Sequence, residues 1–223
     1  MTSHLSFTEI IREKCNSINW ENCAEAYQEA RDVLEIVSIP SNLKILLEEF
    51  VSNQRLKEKS KIFNLFSKLV LLDGQDYKWK LRLHVFDRQV LEAHHHHASF
   101  CACVLQGSYS HFLFGPNSSL DARRLSFPLR PLFIHNHEPG SFYFIDHDMV
   151  HATMIEKPTV TLMLQAGSER SSFEIYDLET GNRRIRMTNP DISVTDSQEP
   201  GESRMSENEL SAIRERLESD GLI

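Results

Sequence analysis

The chain contains no run of about 18 apolar residues, the length that a membrane span requires, so no membrane partner is expected. The stretch Met1 to Ile11 has no basic segment followed by an apolar one, and so does not read as a secretory signal. Clustered positive charge is also missing. The 24 Lys and Arg are scattered, the longest group is Arg183, Arg184 and Arg186, and the formal net charge is −8. A phosphate backbone requires concentrated basic residues, so nucleic acid is excluded as a partner. Cysteine is scarce: Cys15, Cys23, Cys101 and Cys103. With 40% apolar residues the chain can bury a core without disulfides. Cys101 and Cys103 would project to the same side of a strand, a poor geometry for bridging each other. Reduced thiols in a cytoplasmic protein are expected. No solenoid-type repeat is visible.

Histidine is what the sequence has in an unusual arrangement. Ten of the 11 histidines lie between His84 and His151, and only His4 falls outside. Histidine is the commonest metal ligand among side chains, so this clustering points to a place on the chain.

Residues 1–74 read as a helical region that packs on a later set of strands. Apolar residues recur at mixed three and four spacings in Phe7 to Lys14 and in Trp20 to Val37. Ser41 reads as the N-cap of a third helix, and Ile62 to Leu72 as a fourth, ended by Asp73-Gly74. From Tyr77 the texture changes. Trp79 to Phe86 alternates, with Leu81, Leu83 and Val85 on one face and Arg82, His84 and Phe86 on the other.

Phe100 to Phe114 reads as two strands with a bend at Gln106-Gly107-Ser108. Leu132–His135, Ser141–Ile145, His151–Ile155, Thr159–Leu164 and a hairpin of Phe173–Tyr176 with Arg183–Arg186 complete the set. Short strands separated by Gly, Pro and Asp turns predict a mainly β sandwich or closed barrel over 75–188. Residues 189–223 read as a polar linker, through Arg204, followed by a helix whose capping box is Ser206 with Glu209.

The run His94-His95-His96-His97 lies between two predicted strands in mid-chain, whereas purification tags are terminal. Alternate residues of a strand project to one side, so the run offers two His-x-His pairs on opposite faces, His94 with His96 and His95 with His97. Only one pair can face a barrel interior. A third ligand must come from elsewhere, and His151 is the best placed; His135 and His137 form a weaker pair in a loop-like context.

The spacing then resembles the two motifs of the cupin superfamily. Gly140, five residues, Asp146-His147-Asp148, two residues and His151 follow the second motif. His94 and His96, three residues, Phe100, six residues and Gly107 follow the first. The acidic ligand of the first motif is replaced by Phe100. The match covers about half the chain, Tyr77 to Arg186.

This resemblance implies a cupin double-stranded β-helix, or jelly roll, with His94, His96 and His151 as metal ligands. Three histidines without the acid are similar to the thiol dioxygenase branch, and His94 to Gly107 resembles the histidine-to-glycine strand of cysteine dioxygenase. The Ser-x-His-x-Tyr signature of that branch is absent: the matching stretch is Thr161-Leu162-Met163-Leu164-Gln165. Cysteine is therefore not the expected substrate.

Three neutral imidazoles leave a divalent metal its full charge and open positions, which favours a substrate that brings an anionic donor. Fe(II) with dioxygen, hence a non-haem iron oxygenase, is the leading expectation. Zn, Cu, Ni and Mn remain compatible with the ligands, and zinc would instead favour hydrolysis. The alternatives are a metal-dependent isomerase, lyase or decarboxylase on the same site, or a non-catalytic metal- or ligand-binding cupin. Arg82 and His84, on one face of the first barrel strand, and Tyr109 and His111 on the next, are the candidate binders of a small polar, carboxylate-bearing substrate. Asp146 and Asp148 either orient an imidazole or hold a turn. The oligomeric state is left open.

Overall fold

The computed structural model describes residues 5–63, 66–87, 92–122, 128–180, 182–187 and 203–223. Four helices come first: α1 Phe7–Ser17, α2 Cys23–Val37, α3 Pro40–Ser52 and α4 Gln54–Lys59. Ser6 and Glu9 form a reciprocal capping box on α1, and the Asn22 side chain accepts from the first N–H groups of α2. The third helix starts earlier than expected. Pro40 occupies its first turn, where a missing N–H costs nothing, and the cap is Ile39, so Ser41 lies inside the helix.

The expected fourth helix over Ile62 to Leu72 is not formed. After the short β1, Lys61–Ile62, the chain runs as β2, Phe66–Asp73, and so joins the sheet rather than the helical layer. Its apolar run Leu69-Val70-Leu71-Leu72 is buried along its whole length, which hides the alternation of a strand. The helical region ends at Lys59, and the sheet begins before residue 75.

The remaining elements are β3 Trp79–Phe86, β4 Ala93–His94, β5 Phe100–Pro116, the short α5 Asn117–Ala122, β6 Phe133–His137, β7 Phe142–Ile145, β8 Met149–Ala166, β9 Ser172–Tyr176, β10 Arg183–Met187, β11 Ser203–Arg204 and α6 Glu207–Ser219. Within the expected linker, Ser203–Arg204 pairs with β1; 189–202 lies outside the described residues. The Ser206–Glu209 capping box opens α6 as expected.

All described pairings are antiparallel, and two long strands carry the architecture. The C-terminal half of β8 pairs with β3, while its N-terminal end pairs with β4 at His151. Strand β5 runs beside β8 throughout, pairing with β7 along its first half and β6 along its second. The result is two layers that share β5 and β8: β11-β1-β2-β3-β8-β5-β7, and β10-β9-β4-β8-β5-β6. This is the mainly β, antiparallel, double-layered architecture of a jelly roll, as the strand pattern implied.

The bend between layers falls at Gln106-Gly107-Ser108, where the ladder slips register. Gly107 has φ +80°, and a Cβ there would sit 2.3 Å from the Pro158 carbonyl oxygen. Only glycine allows both that conformation and that approach.

The helices cover the outer face of the first layer. Val33, Leu34, Leu46 and Phe50 pack in one core with Leu69, Leu81, Leu83, Cys101, Cys103, Leu162 and Leu164. Burying each such aliphatic side chain contributes about 1.5–3 kcal/mol. Asp73, 2% exposed, ties this layer to the helices: Arg55 and Lys59 both donate to its carboxylate, and its carbonyl accepts from Arg12. All four cysteines are free thiols, and burial raises Cys15, Cys101 and Cys103 to about 12. No helix among the described residues is long and apolar enough to cross a membrane.

Candidate metal centre

With Cys101 and Cys103 in the helix-facing core, the alternating residues Phe100 and Ala102 face inward, where they cluster with Ile145 and Met163. The same alternation sets the histidines. His94 lies directly across the ladder from His151. The ligand nitrogens of His94, His96 and His151 all fall within 4.8 Å of one another. His95 and His97 take other directions. His95 Nε2 accepts from the Glu174 backbone N–H at 3.0 Å, and His97 is not part of the converging group among the described residues.

The hydrogen bonds fix which nitrogen each ring presents. His94 Nδ1 meets the Glu92 carbonyl at 2.9 Å, so that nitrogen carries the proton and Nε2 is free. His151 Nδ1 meets His111 Nε2 at 2.7 Å, while His151 Nε2 faces His96 Nε2 at 2.6 Å. Burial first, and neighbouring imidazoles second, hold His96 and His151 well below the ordinary histidine range, so both are neutral at pH 7. Two neutral Nε2 atoms at that separation, with a third nearby, form an electron-rich focus that a shared cation satisfies. The donor set therefore fits a divalent metal, and imidazole nitrogens suit iron, copper, nickel and zinc. His151 is 5% exposed, whereas His94 and His96 are only partly buried, so the focus opens on their side.

The four candidate substrate residues separate into two groups. Arg82 and His84 lie on the inner face of β3, 9% and 7% exposed. Their registers are Arg82 opposite Met163 and His84 opposite Thr161. Tyr109 and His111 are engaged within the protein: Tyr109 Oη donates to Tyr143 Oη at 2.6 Å, and His111 backs the His151 ring. His111 Nδ1 in turn meets His137 Nε2 at 3.2 Å.

His137 therefore belongs to the site, in a place that the sequence did not reveal. It sits in β6, not a loop, with its partner strand placing Tyr109 opposite it. Burial pulls His111 to about 3 and His137 to about 4. Alternation of His135 and His137 against His111 was the available signal, obscured by the following Pro139-Gly140 turn.

Asp146 and Asp148 hold the turn before His151 rather than its ring. The Asp146 carboxylate accepts from the Asp148 N–H, and Asp148 accepts from Ser118 and Arg170. Beside them, His147 pairs with Glu169 at 2.9 Å.

No protein-family model matches the chain, and no curated protein matches it. Among solved structures, KdgF from Halomonas sp. is similar at 15% identity, over 47% of this chain and 82% of that one, with a TM-score of 0.35. An RmlC-like cupin from Shewanella frigidimarina is 14% identical over 51% of this chain and 88% of its own, TM-score 0.37. Ectoine synthase from P. lautus is 13% identical over 54% and 75%, TM-score 0.40.

Proposed function

We propose that the chain is a metal-dependent enzyme of cupin type, a non-haem iron oxygenase acting on a small polar metabolite that bears a carboxylate. The observation that supports it is the convergence of three imidazole nitrogens, with no acidic ligand in the group among the described residues. Iron(II) held there would keep its full charge and supply Lewis acidity and one-electron chemistry with dioxygen.

The chain's own residues do the rest. His94, His96 and His151 hold the metal, and the Glu92 carbonyl and His111 keep two of these rings in the correct tautomer. Phe100, Ala102, Ile145 and Met163 form an apolar wall that limits water beside the site. Arg82 and His84, on the inner face of β3, orient the carboxylate. Met163 and Gln165 stand where the thiol dioxygenases carry histidine and tyrosine, so the substrate is a metabolite other than cysteine.

Oxygen uptake by the protein loaded with Fe(II), Zn(II) or Mn(II), screened against small carboxylic acids, tests the reading. Substrate-dependent uptake with iron alone, and little cysteine sulfinate formed, is expected. Stoichiometric metal binding without oxygen uptake by any loaded form would overturn the oxygenase assignment.

A further inference from the structure

The inner face of the first layer carries an unusual load. Along β3, Lys80, Arg82 and His84 alternate with Leu81, Leu83 and Val85, which pack against the helices. Lys68 on β2 lies opposite His84, and Gln165 on β8 lies opposite Lys80. Among the described residues, neither Lys68, Arg82 nor His84 has a carboxylate partner. Arg82 Nε, His84 Nε2 and Gln165 Oε1 are all buried without a hydrogen-bond partner, and Gln165 is 1% exposed.

Lys68 and Lys80 each stand over an aromatic ring, Phe63 and Tyr77, but Lys80 alone of the two also feels a carboxylate, that of Asp73. A buried charge without a counter-charge destabilises a fold, and so does a buried polar atom without a partner. A fold that keeps Arg82, Lys68 and His84 together without an acid has the counter-charge supplied from outside.

The position ties this face to the metal centre. Arg82 is opposite Met163, which is opposite Ala102; two rungs along, on the same face, Gln165 is opposite Phe100. The Phe100 ring lies 4.7 Å from the His96 ring. Burial, then the neighbouring Arg82, holds Lys68 well below the ordinary lysine range.

We propose that the barrel interior beside the three histidines binds a small dianion, of dicarboxylate or phosphate-monoester type, clamped by Arg82 and Lys68 with His84 donating a further hydrogen bond. This deepens the function proposed above and rests on it for the role of the metal. A guanidinium takes one carboxylate or two phosphate oxygens through its paired N–H groups, and the nearby ammonium then calls for a second negative charge. A monocarboxylate would leave one of the two cations uncompensated.

Calorimetric titration of the full chain, both metal-free and Zn(II)-loaded, with succinate, inorganic phosphate and propionate tests the inference. Binding of succinate or phosphate at least tenfold tighter than propionate is expected, and which of the two binds tells the dicarboxylate from the phosphate. Arg82→Met and Lys68→Met should each weaken that dianion at least tenfold while zinc still binds. Arg82→Met should also melt higher than the parent without ligand, because a buried cation without a carboxylate partner has been replaced by an apolar chain.

Equal binding of propionate, or zinc binding with no anion bound, would overturn the dianion site and leave the metal reading standing. Dianion binding without zinc binding would do the reverse. A ligand-free Arg82→Met protein that melts lower than the parent, with dianion affinity unchanged, would likewise overturn the clamp.

Discussion

At His151 two demands meet in one ring. If Nε2 serves the metal, Nδ1 must carry the proton and donate it to His111 Nε2, 2.7 Å away. The His111 proton then sits on Nδ1 and is donated to His137 Nε2 at 3.2 Å, and that of His137 sits on its own Nδ1, buried and without a partner among the described residues. One ligand bond thus sets the tautomer of three rings, none of them charged. Outer partners of this kind typically carry about 10–100-fold in metal affinity. His111→Leu should therefore weaken zinc binding by about that factor in a chelator competition. His111→Gln, whose amide oxygen can accept the same proton, should lose less. A leucine variant that binds zinc as tightly as the parent would show that His111 does not orient the ligand. The register of the run was legible because Phe100, Ala102, Cys101 and Cys103 declare which face is apolar lining and which is helix-facing core. The His111–His137 contact was not, because it joins residues 26 apart through a strand pairing that no local pattern encodes.

Among the elements, β5 and β8 decide the architecture by changing layer while staying paired. Gly107 is the point at which β5 turns. Alanine there would have to adopt a φ near +80° and move the Pro158 carbonyl. Such strained backbone costs about 1–3 kcal/mol, and Gly107→Ala should lower the urea midpoint accordingly. An unchanged midpoint would mean that the corner does not need glycine. The bend at Gln106-Gly107-Ser108 was legible from composition, but the continuity of β5 through it was not. Strand β2 was illegible for a different reason. Four consecutive buried apolar residues satisfy a helix and a doubly covered strand equally well, and only its pairing with β3 separates them. Strand β3 was readable because its inner face is polar and its outer face is not.

For the whole molecule, the interior histidines make stability depend on pH. Burial, reinforced by Arg82 and Lys68, holds His84 well below its ordinary range, and burial takes His137 to about 4. In the unfolded chain both take up a proton near pH 6.5, so the unfolded state binds more protons as pH falls below that value. Stability should be full above about pH 6.5 and fall as the pH drops, with the His137 contribution complete near 4. Each such group adds at most about 1.4 kcal/mol per pH unit. Urea unfolding of metal-free protein between pH 7.5 and 4.5 should show this slope, and His137→Gln should flatten part of it. A level profile would mean that these rings are protonated in the native state.

Three histidines from two distant stretches of chain converge on one candidate metal site. Metal content after dialysis with Zn(II) or Fe(II), on protein carrying no affinity tag, tests it most directly. Close to one ion per chain is expected, retained when His95 and His97 are both changed to Ala, and lost when His94 and His96 are both changed or when His151→Ala is made alone. Retention by the His151→Ala protein at the parent's affinity, or loss only in the His95 and His97 variant, would contradict it.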